Sequence, residues 1–118
     1  MRMLENLLGP EEFRLGVHIY LDKNRYNNAV TDDLWAALEE ASGDKVPVKE
    51  IMDTWTRQIG YPVLMVEDIG QGKVRITQKI FMDITSEENK EKFGNLKWHV
   101  PVTWITSESS KVRVKMFV

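Results

Sequence analysis

Cysteine is absent from the 118 residues of this chain. That excludes a disulfide framework, a cysteine-ligated metal and a thiol nucleophile. It accords with a reducing compartment, and a cytoplasmic location is the expectation. Histidine is nearly absent as well, with only His18 and His99 present. A zinc helix of the His-Glu-x-x-His kind needs two histidines one turn apart with a glutamate between them, so that arrangement is excluded. Neither histidine stands by a Gly-x-Ser-x-Gly turn, so a serine triad has no anchor here. There is no apolar run of the ~20 residues needed to cross a bilayer. The segment Met1–Leu8 is too short and polar for a secretory signal and has no small-residue cleavage site. Repeats and low-complexity tracts are also missing. The net charge of −2 gives no reason to expect nucleic acid or an anionic membrane as partner.

What remains, 42% hydrophobic and 29% charged, suits one globular domain or two small packed units. The chain divides at Gly60-Tyr61-Pro62. Upstream, the patterns are helical. Leu4, Leu7 and Leu8 suggest a short helix with no capping residue before it. Gly9-Pro10-Glu11-Glu12 opens a second helix, with proline at the first position and carboxylates in the first turn. Phe13, Val17, Tyr20 and Leu21 form its stripe, Gly16 allows a close helix crossing, and the end falls near Asp22 to Asn24. Thr31 is the expected N-cap of a third helix, with Asp32 and Asp33 behind it and an apolar face of Leu34, Trp35, Leu38 and Ala41. Ser42-Gly43-Asp44 ends it. After Pro47, a fourth helix carries Val48, Ile51, Met52, Trp55 and Ile59 at helical spacing, and Gly60 is its expected C-cap.

Downstream of Pro62 the period changes to two. Val63 to Glu67 reads as a strand, and Asp68-Ile69-Gly70-Gln71-Gly72 as a hairpin loop. Lys73 to Phe81 alternates, with Val74, Ile76 and Ile80 opposite Lys73, Arg75, Thr77 and Lys79. Thr85 to Asn95 reads as a long exposed loop. Lys97 to Thr106 is a third strand, with Trp98, Val100, Val102 and Trp104 on one face and Pro101 marking an edge or bulge. Lys111 to Val118 alternates again. The fold class is therefore α+β, helices followed by antiparallel half-buried sheet. The uncapped start and the stop within an alternating strand lead us to expect that both ends are cut from a longer chain.

The polar constellations are weak as chemistry. His18 and Asp22 lie four apart on a helix, but two ligands do not close a four-ligand zinc site, and an exposed His–Asp pair is the expectation. Asp32-Asp33, Glu39-Glu40 and Glu87-Glu88 read as first-turn or solvated charges. Gly70-Gln71-Gly72-Lys73 lacks the spacing and following helix of a phosphate loop. Lys73, Arg75 and Lys79, and likewise Lys111, Arg113 and Lys115, share strand faces and read as solvated outer faces. Trp35, Trp55, Trp98 and Trp104 all read as core. No catalytic, cofactor-binding or metal-binding residue is assigned.

One stretch carries a specific resemblance. Trp55-Thr-Arg-Gln-Ile-Gly-Tyr-Pro-Val-Leu64 resembles the end of the catalytic domain in zinc aminopeptidases of the aminopeptidase N and puromycin-sensitive type. Gly9, Phe13, Gly16, Tyr20-Leu21, Asn28-Ala29, Thr31, Asp33-Leu34-Trp35 and Leu38-Glu39 are similar to the last helices of that domain. Val74, Ile76, Gln78, Phe81, Trp98 and Pro101-Val102 are similar to its adjoining small β-sandwich domain. The resemblance implies residues 1–60 as the C-terminal helices of the catalytic domain and 61–118 as a β-sandwich domain truncated at its C-terminus. It implies zinc in the parent enzyme and none in this chain, the rest of the parent as partner, and peptide substrate reached only through the parent. The family's Gly-x-Met-Glu-Asn loop and its zinc helix have no counterpart here, so no catalytic residue carries over. The alternative is a stand-alone interaction module without enzymatic activity.

Overall fold

The computed structural model describes residues 1–81 and 87–117. Helices α1 (Arg2–Leu8), α2 (Pro10–Lys23), α3 (Thr31–Ala41) and α4 (Val48–Thr56) come first. Strands β1 (Tyr61–Gly70) and β2 (Lys73–Phe81), helix α5 (Glu87–Phe93), and strands β3 (Val100–Thr106) and β4 (Ser109–Phe117) follow. Both strand pairs are antiparallel, and each forms its own two-stranded sheet. The architecture is α+β, as the change of period implies.

The helical core is Leu4, Leu8, Trp35, Leu38, Val48, Ile51 and Met52. A second cluster, Ile80, Trp98 and Val100, lies under the strands. Trp55 packs against both, and so joins the two cores. Gly16 makes the expected close crossing. A Cβ there would lie 2.5 Å from Leu38 Cδ2 and 3.0 Å from Leu38 Cα, so α2 and α3 approach at a distance that admits hydrogen alone.

Several local expectations shift. The N-cap of α3 is Val30 rather than Thr31, and the Asp33 carboxylate accepts the Val30 N–H at 2.9 Å. That reach-back satisfies a donor at the helix start, so the cap is built from the first turn instead of from a threonine hydroxyl. Helix α4 ends at Thr56, short of Gly60. The Arg57 N–H closes the helix on Asp53 O, and side chains turn back on the last two turns: Thr54 Oγ1 donates to Ile51 O, Thr56 Oγ1 to Met52 O, and Gln58 Nε2 to Thr54 O. Beyond Arg57 the chain leaves the helical path, and Ile59 leaves the stripe for solvent. Gly60 still adopts φ 78°, as the bend into β1 rather than as a cap. Leu21, expected in the stripe of α2, is exposed.

The expected exposed loop contains α5 instead. Its Glu87 and Glu88 occupy the first turn and Lys90 and Lys92 the last, a charge order that suits the helix dipole. Residues 85 and 86 of that expectation lie outside the described residues. Strand β3 begins at Val100, so Trp98 precedes it. Trp98 is completely buried, whereas Trp104 is 37% exposed and belongs to no core cluster. Pro101 lies in a strand with one partner, where its missing N–H has no second ladder to break.

Candidate functional site

The polar groups that the fold brings together most tightly lie where α4, β2 and the segment Lys97–His99 meet. This segment has no strand ladder, and its backbone is held by side chains. Gln58 Nε2 donates to Lys97 O at 2.8 Å. Gln78 Nε2 donates to Trp98 O, and Gln78 Oε1 accepts the Trp98 N–H, each at 2.8 Å. Thr54 Oγ1 accepts the His99 N–H at 3.2 Å, and Trp55 Nε1 donates to His99 O at 2.9 Å. Lys97 Nζ returns to Gln78 O at 3.2 Å. Thr54 and Trp55 come from the last turn of α4, Gln58 from just beyond it, and Gln78 from β2. A buried backbone with no ladder costs free energy unless its donors and acceptors find partners, and here four side chains supply them. The arrangement fixes one segment to two others. It contains no nucleophile beside a base, so its chemistry is that of a joint.

A second cluster ties α3 to α4. Asp32 Oδ1 lies 3.0 Å from Arg57 Nη2 and 3.4 Å from Lys49 Nζ. Asp53 lies 2.7 Å from Lys49 and 3.0 Å from Arg57. The hydrogen bond from Lys49 holds the Asp53 carboxyl below its ordinary value. Hydrogen bonds to Asp53 and Asp32 raise Lys49 and Arg57, respectively. Glu39 Oε1 accepts the Lys49 N–H at 2.8 Å, so a residue of α3 caps the first turn of α4. The Glu40 carboxylate pairs with Lys23 of α2. Asp32, Glu39 and Glu40 thus link helices rather than simply facing water. Their partners are 17, 10 and 17 residues distant for the lysine contacts, which no local pattern reveals.

Each histidine has one acidic neighbour. Asp22 Oδ1 is 3.2 Å from Arg25 Nη2, so the carboxylate beside His18 already holds a cation. His18, Leu21, Asp22 and Arg25 line an open cavity of about 210 Å3. His99 Nε2 lies 3.5 Å from Glu50 Oε1, and its backbone belongs to the joint. Among the described residues no three His, Cys, Asp or Glu side chains group so as to hold a metal ion. The donor set does not fit zinc, which takes four ligands in structural sites and three protein ligands in catalytic ones. Gly70, Gln71 and Gly72 all have positive φ and turn β1 into β2, which is the hairpin reading and not a phosphate loop. On the basic faces, Arg75 lies 3.6 Å from Glu67 across the strands.

A family model described as the peptidase family M1 domain matches residues 1–55. Glutamyl aminopeptidase of Homo sapiens is 48% identical over 106 residues, covering 88% of this chain and 10% of that protein. Glutamyl aminopeptidase of Bos taurus is 44% identical over 115 residues, covering 95% of this chain and 11% of the relative. Aminopeptidase 2 of Candida albicans is 43% identical over 93 residues, covering 76% of this chain and 10% of the relative. The chain therefore spans about a tenth of the length of the curated relatives it matches. The similarity to the relatives runs through the helices, the joint and the hairpins alike, and it bears out the resemblance read from residues 55–64: this chain belongs to peptidase family M1.

Proposed function

We propose that this chain is a non-catalytic structural segment of a zinc-dependent aminopeptidase. On this reading residues 1–60 close the end of the catalytic domain, and residues 61–118 begin a β-sandwich domain. The supporting observation is the joint at Lys97–His99: the backbone of this segment is bonded by side chains from α4, the residues after it and β2, so the conspicuous polar geometry of the chain is spent on fixing helix to sheet. The parent removes N-terminal residues from peptides, with zinc held by residues outside this chain. Peptide substrate and zinc reach this chain only through the parent, and neither nucleic acid nor a membrane is a partner. A cytoplasmic location is part of the same proposal. The rival, a stand-alone interaction module whose exposed sheet face engages a partner, calls for a continuous core and polar ends. Val66, Val74, Ile105 and Val112 are all more than half exposed, and the segment reading assigns that apolar surface to neighbouring parts of the parent.

The test is a peptidase assay. The purified chain, given zinc, is incubated with aminoacyl fluorogenic substrates beside a family-length protein that carries it. The reading predicts turnover by the longer protein alone, abolished by a chelator. Chelator-sensitive turnover by the 118 residues themselves overturns it.

A further inference from the structure

The connector between α2 and α3, residues 24–30, buries no side chain. Within it Tyr26 is 99% exposed and has φ 61°, a backbone region that suits a bulky side chain poorly. The connector's hydrogen bonds run only to itself and the flanking turns. Asn24 donates to Tyr20 O from its N–H and from Nδ2, and the Arg25 N–H reaches Asp22 O at 3.4 Å. The Asn27 N–H donates to Asn24 O, and the Val30 N–H to Asp33 Oδ2. A stretch held so locally opens without disturbing a core, and exposed segments of this kind are where proteases cut. Arg25 is one of sixteen Lys and Arg residues, and all but four of these lie within helices or strands. Of the four, Lys45 is followed by Val46, which packs on the helical core, and then by the completely buried Val48. Arg57 is followed by Gln58, which is bonded to Thr54 O and Lys97 O, and Lys97 by the completely buried Trp98. Arg25 alone is followed by exposed residues free of helix and strand, Tyr26 to Ala29. Its guanidinium meets Asp22 at 3.2 Å with both side chains exposed, a contact worth little in water. Nearby Lys23 ends α2, where it pairs with Glu40 and the two bonds from Asn24 close the turn after it.

We propose that the bond between Arg25 and Tyr26 is a processing site for a trypsin-like endopeptidase, and that the two parts stay docked after the cut. Such an enzyme carries an aspartate in the pocket that takes the side chain before the cut bond, which selects a basic residue there. Water adds across the amide, Arg25 keeps the new carboxylate, and Tyr26 keeps the new amino group. Docking persists because what joins α2 to α3 lies outside the connector. Gly16 presses on Leu38, and Lys23 pairs with Glu40. Leu4 and Leu8, upstream of the cut, share one core with Trp35, Leu38 and Ile51 downstream of it.

The test is limited digestion of the family-length protein that carries this chain. Trypsin is added at a low ratio, and new N-termini arising within these 118 residues are followed in time by mass spectrometry. The N-terminus at Tyr26 is expected before any other from this stretch. The parts on either side of the cut then elute together in gel filtration and separate only under denaturing, reducing conditions. In Arg25→Gln the cut at Tyr26 slows at least tenfold, and no other cut in the stretch takes its place over the same time. An earlier cut after Lys45, Arg57 or any other basic residue of the chain overturns the proposal. So does the absence of any cut within it, or separation of the parts on the native column. The readout is the position of the cut, so it succeeds or fails independently of zinc and of peptidase activity.

Discussion

Gln78 meets both backbone polar groups of Trp98 with its one amide, donating from Nε2 to the carbonyl and accepting the N–H at Oε1, each at 2.8 Å. The side chain does for one residue what a neighbouring strand does in a ladder. Trp98 is completely buried, so neither group has water as a substitute. Replacing Gln78 with Leu leaves a donor and an acceptor without partners, and unfolding free energy falls by about 1–3 kcal/mol for each. Gln78→Glu keeps the acceptor but sets a carboxylate oxygen against the Trp98 carbonyl, so it too is destabilising at neutral pH. Urea unfolding followed by tryptophan fluorescence measures both variants. Equal stability of Gln78→Leu and the wild type contradicts this account of the joint.

The joint's other flank is Trp55, whose Nε1–H donates to His99 O. Trp55→Phe keeps an aromatic ring against both cores and removes that donor. The expected cost is about 1 kcal/mol, and the lost packing of a smaller ring adds to it. Combined with Thr54→Ala, which removes the acceptor of the His99 N–H, the two changes couple because they hold the same residue. A double-mutant cycle in urea checks this, and strict additivity argues against a shared joint.

Gly16→Ala tests the crossing of α2 and α3. The new methyl group meets the Leu38 side chain and backbone, so the helices must separate or Leu38 must move. Overpacking of this kind costs about 1–3 kcal/mol. Leu38→Ala alone is also destabilising, because Leu38 is completely buried. The double variant recovers part of the Gly16→Ala loss, which thermal unfolding of the four proteins measures. A Gly16→Ala protein as stable as wild type means that the close approach does not matter.

The Lys49–Asp53–Arg57–Asp32 cluster sets an acid limit. Asp53 has its folded-state pKa lowered from 3.8, chiefly by the hydrogen bond from Lys49. A depressed carboxylate contributes stability that is full above the unfolded value and is lost as pH falls through the folded one. Lys49 and Arg57 are raised above their ordinary values, so their contributions are fully present at neutral pH and are lost only in strong alkali. The expected outcome is a urea midpoint that Asp53→Asn lowers at pH 7 and lowers progressively less as pH falls below 3.8. Added salt shrinks the pH 7 difference, because the cluster is solvent-exposed.

Much of the helical half is legible from residue chemistry. Pro10 at the start of α2, the Gly16 crossing and the stop at Ser42 follow from steric and dipolar rules that act within a few residues. The end of α4 is not legible. Thr54, Thr56 and Gln58 turn their side chains back on the helix carbonyls, and the spacing of Ile51, Trp55 and Ile59 gives no sign of it. Helix α5 is hidden differently. Glu87–Phe93 buries no residue, so it has no apolar stripe to betray it. The joint is the least visible feature. Its bonds from Gln58, Thr54 and Trp55 span 39 to 45 residues, and Trp98 reads as a strand residue until the structure places it before β3. Trp104 shows the converse. It alternates in phase with Val100 and Val102, but no element covers its end of the hairpin among the described residues.

Zinc binding by the isolated chain tests the central claim most directly. After equilibrium dialysis against micromolar zinc, the metal retained per chain is counted by mass spectrometry, for the wild type, His18→Ala and His99→Ala. The account predicts far less than one zinc per chain, with no difference among the three proteins. One tightly held zinc per chain, lost in either histidine variant, contradicts the account and makes this segment part of a metal centre.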